Sequence, residues 1–286
     1  MSIPAQDHRH EDTASPTTPC APESCVGPPV TAAGPVRRAA RLLGCGLALL
    51  TALAVTPVLR HGPAALRGPL SRRSMRLIVG SVGITVRTTN GVPAPAGPGS
   101  PGTLLVSNHV SWADSLVLAA VTPARHLAKR DVGRWPLIRS LAAAHRTLFI
   151  DRDRPAALPA AVTAVAAALR DGDTVLAYPE GTTWCGHAMG AFHPALFQAA
   201  LDAGATVRPV ALRYLEGRAR SSRGSWVGEE SLLTSLLRVV ATRHVVAEVT
   251  FLPPVRHEPS GRPREDRAAL AALAESQVRA AVLGPA

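Results

Sequence analysis

The sequence predicts an α/β fold: a mixed, largely parallel sheet covered by helices on both faces, preceded by an N-terminal membrane-associated helical segment. Three observations carry that expectation. From Thr103 onward, short β-prone runs alternate with stretches of helical pattern, the order expected of strands joined by crossover helices. The chain has 286 residues, 47% of them hydrophobic, enough for one large domain with appendages. Leu42–Leu59 contains no charge and lies inside an interval that runs from Glu23 to Asp114 without a single acidic residue.

Taken in order, residues 1–35 are rich in Pro, Thr, Ser and Ala without apolar periodicity and read as a disordered tail. Their length and mixed charge argue against a cleaved signal peptide. Residues 36–82 read as a membrane-associated helical segment. As a helix, Leu42–Leu59 would be about 27 Å long, at the lower limit for crossing a bilayer. Gly44, Gly46 and Pro57 interrupt it, and Arg37, Arg38, Arg41, Arg60, Arg67, Arg72, Arg73 and Arg76 flank it on both sides, which blurs the orientation rule. Two arrangements stay open: a helix lying in the cytoplasmic leaflet, or a single span. Leu66–Gly80 mixes arginines with Leu70, Met75, Leu77, Ile78 and Val79, the pattern of an interfacial amphipathic helix.

Residues 83–286 form the remaining domain. Ile84–Thr88 reads as its first strand, and the Pro/Gly-rich 90–102 as a connection. Further strands are expected at 103–107, 125–128, 147–150, 174–178, 206–212 and 245–252. Helices are expected at 112–121, 135–143, 156–170, 194–203, 229–240 and 264–282. In such sheets reactive groups gather where strand ends meet loops. His109, Arg152 and Glu180 all follow strands.

The net charge of +11 calls for an anionic partner. Arginines clustered around an apolar helix fit a membrane surface better than a nucleic-acid groove, and no zinc-finger or RNA-binding signature competes. Cys20, Cys25, Cys45 and Cys185 do not make a disulfide framework in a chain this long. Cys185 with His187 and His193 offers no complete ligand set at a familiar spacing, so no metal is expected.

The chemistry concentrates in Asn108-His109-Val110-Ser111-Trp112-Ala113-Asp114. A carboxylate beside a histidine fixes its tautomer and stabilises the imidazolium formed on proton abstraction. Residues five apart in one helix stand about 140° off a common face. The pair can therefore meet only if His109 sits in a loop and Asp114 in the first turn of the following helix. Ser111 with an acid three residues later is also a capping-box pattern, so helix capping and catalysis both remain open for Asp114. Tyr178-Pro179-Glu180-Gly181-Thr182-Thr183 follows a second apolar run, 71 positions from His109 to Glu180.

Four blocks in this order resemble the 1-acylglycerol-3-phosphate acyltransferase (lysophospholipid acyltransferase) family: His109–Asp114, Phe149-Ile150-Asp151-Arg152, Pro179-Glu180-Gly181-Thr182 and Val207-Arg208-Pro209-Val210, with Lys129 nearby. The resemblance covers about Thr103 to Tyr214. It implies an O-acyltransferase in which His109 is the general base on a lyso-lipid hydroxyl and Asp114 orients it. Arg152, Glu180, Gly181, Thr182 and Lys129 would serve substrate binding. The donor would be acyl-CoA or acyl-carrier protein, with no cofactor, membrane lipids as partners, no nucleic acid, and an active site on the cytosolic side of the cytoplasmic membrane. No Gly-x-Ser-x-Gly elbow is present, consistent with direct attack by the acceptor. Many members carry glycine where Arg146 stands and arginine where Thr183 stands, while members acting on lyso-ornithine lipid tend towards threonine at the latter. The acceptor is thus expected to be 1-acylglycerol-3-phosphate, with lyso-ornithine lipid as the alternative.

Overall fold

The computed structural model describes residues 18–92, 97, 99–134, 136–151, 154–256, 258 and 260–284. A short helix α1 (Pro22–Cys25) precedes two long ones, α2 (Pro35–His61) and α3 (Ala64–Ser81). The α/β body then runs β1 (Ile84–Thr89), β2 (Thr103–Ser107), α4 (Ala113–Val121), β3 (Arg125–Lys129), α5 (Pro136–Ala144), β4 (Leu148–Ile150), α6 (Leu158–Arg170) and β5 (Val175–Ala177). It continues with α7 (Phe197–Ala203), β6 (Thr206–Glu216), β7 (Ala219–Arg220), α8 (Leu232–Ala241), β8 (Val245–Phe251) and α9 (Pro263–Leu283).

Among the described residues one sheet of order β1-β8-β6-β2-β5-β3-β4 holds the domain, with β7 folded back on β6. Strands β6, β2, β5, β3 and β4 run parallel to one another, while β8 lies antiparallel to β6 and parallel to β1. The alternation of side chains along each strand feeds two cores. Leu104, Val106, Val175 and Ala177 pack towards α6, α7 and α9. Leu105, Leu176, Val210 and Leu212 pack towards α4, α8 and the Val79–Val82 end of α3. Strands buried on both faces carry near-continuous apolar runs, which is why β2 and β5 stand out in the sequence.

The five parallel strands set the place of the site. Leu104–Val106 pairs in register with Val175–Ala177, so the chain leaving β2 at His109 and the chain leaving β5 at Glu180 emerge side by side, about 5 Å apart.

Three expectations about the N-terminal region need correction. The tail expected to be disordered over 1–35 is structured from residue 18 on. Cys20 is buried against Cys185 and Val227, and Ala32 bridges Thr242. Residues 1–17 lie outside the described residues. Most of the apolar stripe of α3 is not open to a membrane: Met75, Ile78 and Val79 are buried beneath α2 and against α4 and the sheet, while Leu66 and Leu77 stay exposed. Some arginines of the flank turn inward as well. Arg41 donates to the carbonyls of Val240, Thr242 and Arg243 at the end of α8, and Arg76 to Ala120 in the last turn of α4. A cation at a helix C-terminus satisfies orphan carbonyls and complements the dipole.

Helix α2 itself divides cleanly. Cys45, Ala48, Ala52, Thr56 and Leu59 form its buried stripe, spaced three or four residues apart as one helical face requires. On the outer side Leu43, Leu47 and Leu50 are 77, 67 and 65% exposed. Only 22% of its most apolar 18-residue window is buried, so this is not the core helix of a closed globule.

Candidate active site

The chain leaving β2 turns sharply at Asn108, whose side chain bonds both backbone groups of Leu212 on β6, donating to its carbonyl at 2.9 Å and accepting from its N–H at 2.8 Å. That clamp fixes the point from which His109 projects. His109 Nδ1 lies 2.8 Å from Asp114 Oδ2. The same oxygen accepts the backbone N–H of Val110 at 2.6 Å and of Ser111 at 2.8 Å. Oδ1 accepts the Tyr214 hydroxyl at 2.7 Å. Asp114 therefore caps the loop before α4 and holds His109 at once. The two readings of its spacing are one geometry.

Asp114 is completely buried, whereas the His109 side chain is 18% exposed. With Nδ1 turned to the carboxylate, the nitrogen left for outside chemistry is Nε2. The imidazole stacks on the Tyr178 ring, centroids 4.1 Å apart and planes 13° from parallel. Burial and the Asp114 charge raise the Tyr178 and Tyr214 hydroxyls well above their ordinary range, so both stay neutral, Tyr214 donating to the carboxylate and Tyr178 paired with the Ser115 hydroxyl at 3.4 Å.

Glu180 takes a different part from the substrate contact expected of it. Its carboxylate is turned inward, 2% exposed, accepting the His109 N–H on Oε1 and the Gly190 N–H on Oε2, each at 2.7 Å. Burial pushes this carboxyl up to about 8, opposed by those two N–H donors and by Arg279. Both oxygens are engaged by backbone, so Glu180 braces the loop that carries His109. Gly181 adopts φ 73°, in the left-handed region that a side chain disfavours, and its N–H closes a turn onto the Tyr178 carbonyl at 3.2 Å. Thr182 is half-buried beside it. The Thr183 hydroxyl donates to the Trp226 carbonyl, Trp226 N–H to the Val110 carbonyl, and Trp184 N–H to the His109 carbonyl. The stretch after Glu180 thus closes round the histidine loop from behind.

Of the two basic residues, the structure describes Lys129, which stands further off. Lys129 ends β3, 3.5 Å from Asp131 and 41% exposed. Strand β4 ends at Ile150, three strands from β2 in the sheet order, a lateral distance of about 14 Å. Arg152 lies outside the described residues. The structure thus brings together His109, Asp114, Glu180, Gly181 and Thr182, and leaves Lys129 on the same rim but apart.

Sequence reasoning missed Asn108, Tyr178, Gly190 and Tyr214. Tyr214 carried a usable signal. It shares the period-two face of Val210 and Leu212 on β6, the face against which α4 packs. Gly190 carried none, because its contact is a backbone N–H.

A parallel-sheet domain with a histidine–carboxylate pair at a strand end and a buried glutamate behind it matches a known class: residues 83–213 fit the model of the Acyltransferase family. The chain belongs to the 1-acylglycerol-3-phosphate (lysophospholipid) acyltransferase family and is an acyltransferase. It is 34% identical over 192 residues to the 1-acyl-sn-glycerol-3-phosphate acyltransferase of Neisseria gonorrhoeae, covering 67% of this chain and 73% of that one. It is 34% identical over 254 residues to the lyso-ornithine lipid O-acyltransferase of Pseudomonas aeruginosa, covering 87% of this chain and 93% of the relative. The crystal structure of the 1-acyl-sn-glycerophosphate acyltransferase of Thermotoga maritima superposes with a TM-score of 0.48 at 16% identity, over 85% of this chain and 97% of that one. A lipid-modifying family, together with the unburied apolar side of α2, makes this a membrane-associated protein.

Proposed function

We propose that the enzyme moves a fatty acyl group from acyl-CoA or acyl-carrier protein to the free hydroxyl of a lyso-lipid, 1-acylglycerol-3-phosphate, giving phosphatidic acid. The observation that carries this reading is the 2.8 Å contact between His109 and a fully buried Asp114 at the end of β2. His109 Nε2 takes the proton as the acceptor oxygen attacks the thioester carbonyl. The tetrahedral adduct collapses, the C–S bond breaks, and the departing thiolate takes the proton from the imidazolium. Such general-base assistance is worth about 10²–10⁴-fold. The thioester already carries the activation, so neither an enzymic nucleophile nor a cofactor is needed. Arg152 and Lys129, as the cations following β4 and ending β3, are the groups offered to the acceptor's phosphate.

A second acceptor, lyso-ornithine lipid, has an observation of its own. The position where many relatives place a cation is Thr183, and its hydroxyl is spent on the Trp226 carbonyl, leaving no charge there for a phosphate. The alignment with the Pseudomonas enzyme also spans nearly the whole chain. The buried stripe of α2 keeps that helix against the body along its length, which supports a helix lying in one leaflet over a span.

Purified full-length protein assayed with both donors against lysophosphatidate and lyso-ornithine lipid tests the reading. One acceptor is expected to turn over, and His109→Ala to lower kcat/KM by about 10³-fold or more. Near-wild-type turnover by His109→Ala would remove the mechanism, and binding of lipid without turnover would make this a non-catalytic lipid-binding protein.

A further inference from the structure

Cys20, Cys25 and Cys185 belong to distant parts of the sequence, yet their sulfurs all lie within 4.8 Å of one another. All three are free thiols. Cys20 and Cys185 are buried and Cys25 is half-buried, enclosed by Val26, Trp184 and Val227. We propose that these three cysteines form a thiolate site for a soft metal ion, Zn²⁺ or Cu⁺, which clamps residues 18–26 onto the loop behind His109.

The spacing fits. Thiolates bound at about 2.3 Å to one ion stand roughly 3.8–4.0 Å apart in tetrahedral or trigonal geometry, so the cluster needs to contract by less than about an ångström. Thiolate donors select this class of cation over Mg²⁺ or Ca²⁺. Cys185 is buried in a turn made possible by Gly186 at φ 84°, and Val26, Trp184 and Val227 form an apolar shell round the sulfurs. Such a shell controls solvent access to a metal site. Among the described residues no fourth His, Cys, Asp or Glu joins the three. This is the donor set of a three-coordinate Cu⁺, or of Zn²⁺ completed by one water.

The position gives the site a consequence. Trp184, next to Cys185, donates its N–H to the His109 carbonyl, and Gly228 packs against Pro22. A bound ion would tie the N-terminal arm, the 184–186 turn and the His109 loop into one unit. The sequence led to no metal expectation: Cys185 with His187 and His193 lacks a complete ligand set, and neither histidine enters the cluster.

The test uses the full chain, purified in detergent with reductant, stripped of metal and titrated separately with Zn²⁺ and with Cu⁺ under a competing chelator. One equivalent of one of these ions is expected to bind, to raise Tm, and to protect Cys20, Cys25 and Cys185 together from alkylation. Co²⁺ in the zinc arm should give thiolate-to-metal charge-transfer absorption. Cys20→Ser and Cys25→Ser, both in the peripheral arm, should each weaken binding by about 100-fold, while Cys45→Ser on α2 should not. Failure of both ions to bind stoichiometrically would overturn the proposal. So would binding that survives Cys20→Ser and Cys25→Ser unchanged, or a native protein in which two of the thiols are joined in a disulfide.

Discussion

Two imidazoles on one sheet show what a neighbour does to a proton. His109, leaving β2, sets Nδ1 against Asp114 and stacks on Tyr178. His126, two strands away on β3, is buried with neither ring nitrogen hydrogen-bonded among the described residues. Burial, with His145 adding to it, pushes His126 down to about 4. In register His126 stands level with Leu105, four residues before His109, so it lies within the sheet and not on the rim where the strands end. The rim at His109 meets a positive charge with a fixed carboxylate and ordered backbone dipoles. Around His126 no hydrogen-bond partner among the described residues receives one, so a proton there works against the fold.

The largest effect should come from Asp114→Asn. An amide keeps the shape and much of the loop capping, but it removes the negative charge and favours the wrong imidazole tautomer. In a histidine–carboxylate unit of this kind that costs about 10⁴-fold in kcat. Steady-state rates at saturating donor, with circular dichroism to confirm the fold, decide it. A loss under about tenfold would mean that Asp114 only caps the loop before α4, and the contrast between the two histidines would fail.

Next in size is acid stability at His126 on β3. Unfolded histidine titrates near 6.5, so between there and about 4 the unfolded chain binds a proton that native His126 refuses. Its contribution is fully present above pH 6.5 and lost as pH falls through 4, about 3 kcal/mol in all. Urea unfolding at neutral pH and near pH 4.5 should show a steeper acid loss in the wild type than in His126→Leu. Equal slopes would show that the buried ring finds a proton acceptor after all.

The same contrast explains what the sequence disclosed. Strands β2 and β5 were legible because burial on both faces leaves apolar runs such as Leu104-Leu105-Val106 and Val175-Leu176-Ala177. His109, Asp114 and Glu180 were legible because they stand just beyond such runs. The partners that give them their roles were not. Tyr214 lies 100 positions from Asp114 and reaches it only through the β2–β6 register. The inward turn of Glu180 depends on two backbone N–H groups that no side-chain pattern encodes. The inward turn of some flank arginines was hidden for a related reason: composition shows charge but not direction, and Arg41 spends its charge on the end of α8. Cys20, Cys25 and Cys185 stayed mute because the meeting of residues 18–26 with the 184–186 turn is a tertiary event.

The smallest effect lies at the opposite edge of the sheet from His109, where β3, β4 and β5 begin. Arg146 follows α5 at φ 52°, and Thr147 N–H returns to the Ala142 carbonyl at 2.9 Å, a helix ending that normally uses glycine. A side chain in that conformation costs about 1–2 kcal/mol. Against it, Arg146 gains an ion pair with Asp173 at 3.1 Å while 58% exposed, worth at most about 1 kcal/mol. Arg125 also bonds Asp173 and the Arg146 carbonyl, and both contacts survive loss of the side chain. Arg146→Gly gives up some unfolded-state restriction but removes the strain, so a gain of roughly 0.5 kcal/mol, or about 1–2 °C in Tm, is expected. Arg146→Ala loses the ion pair and keeps the strain, so it should fall below the wild type. The difference between these two variants isolates the backbone cost, and equal Tm values would mean that the left-handed turn is unstrained and that the arginine is held there by its charge alone.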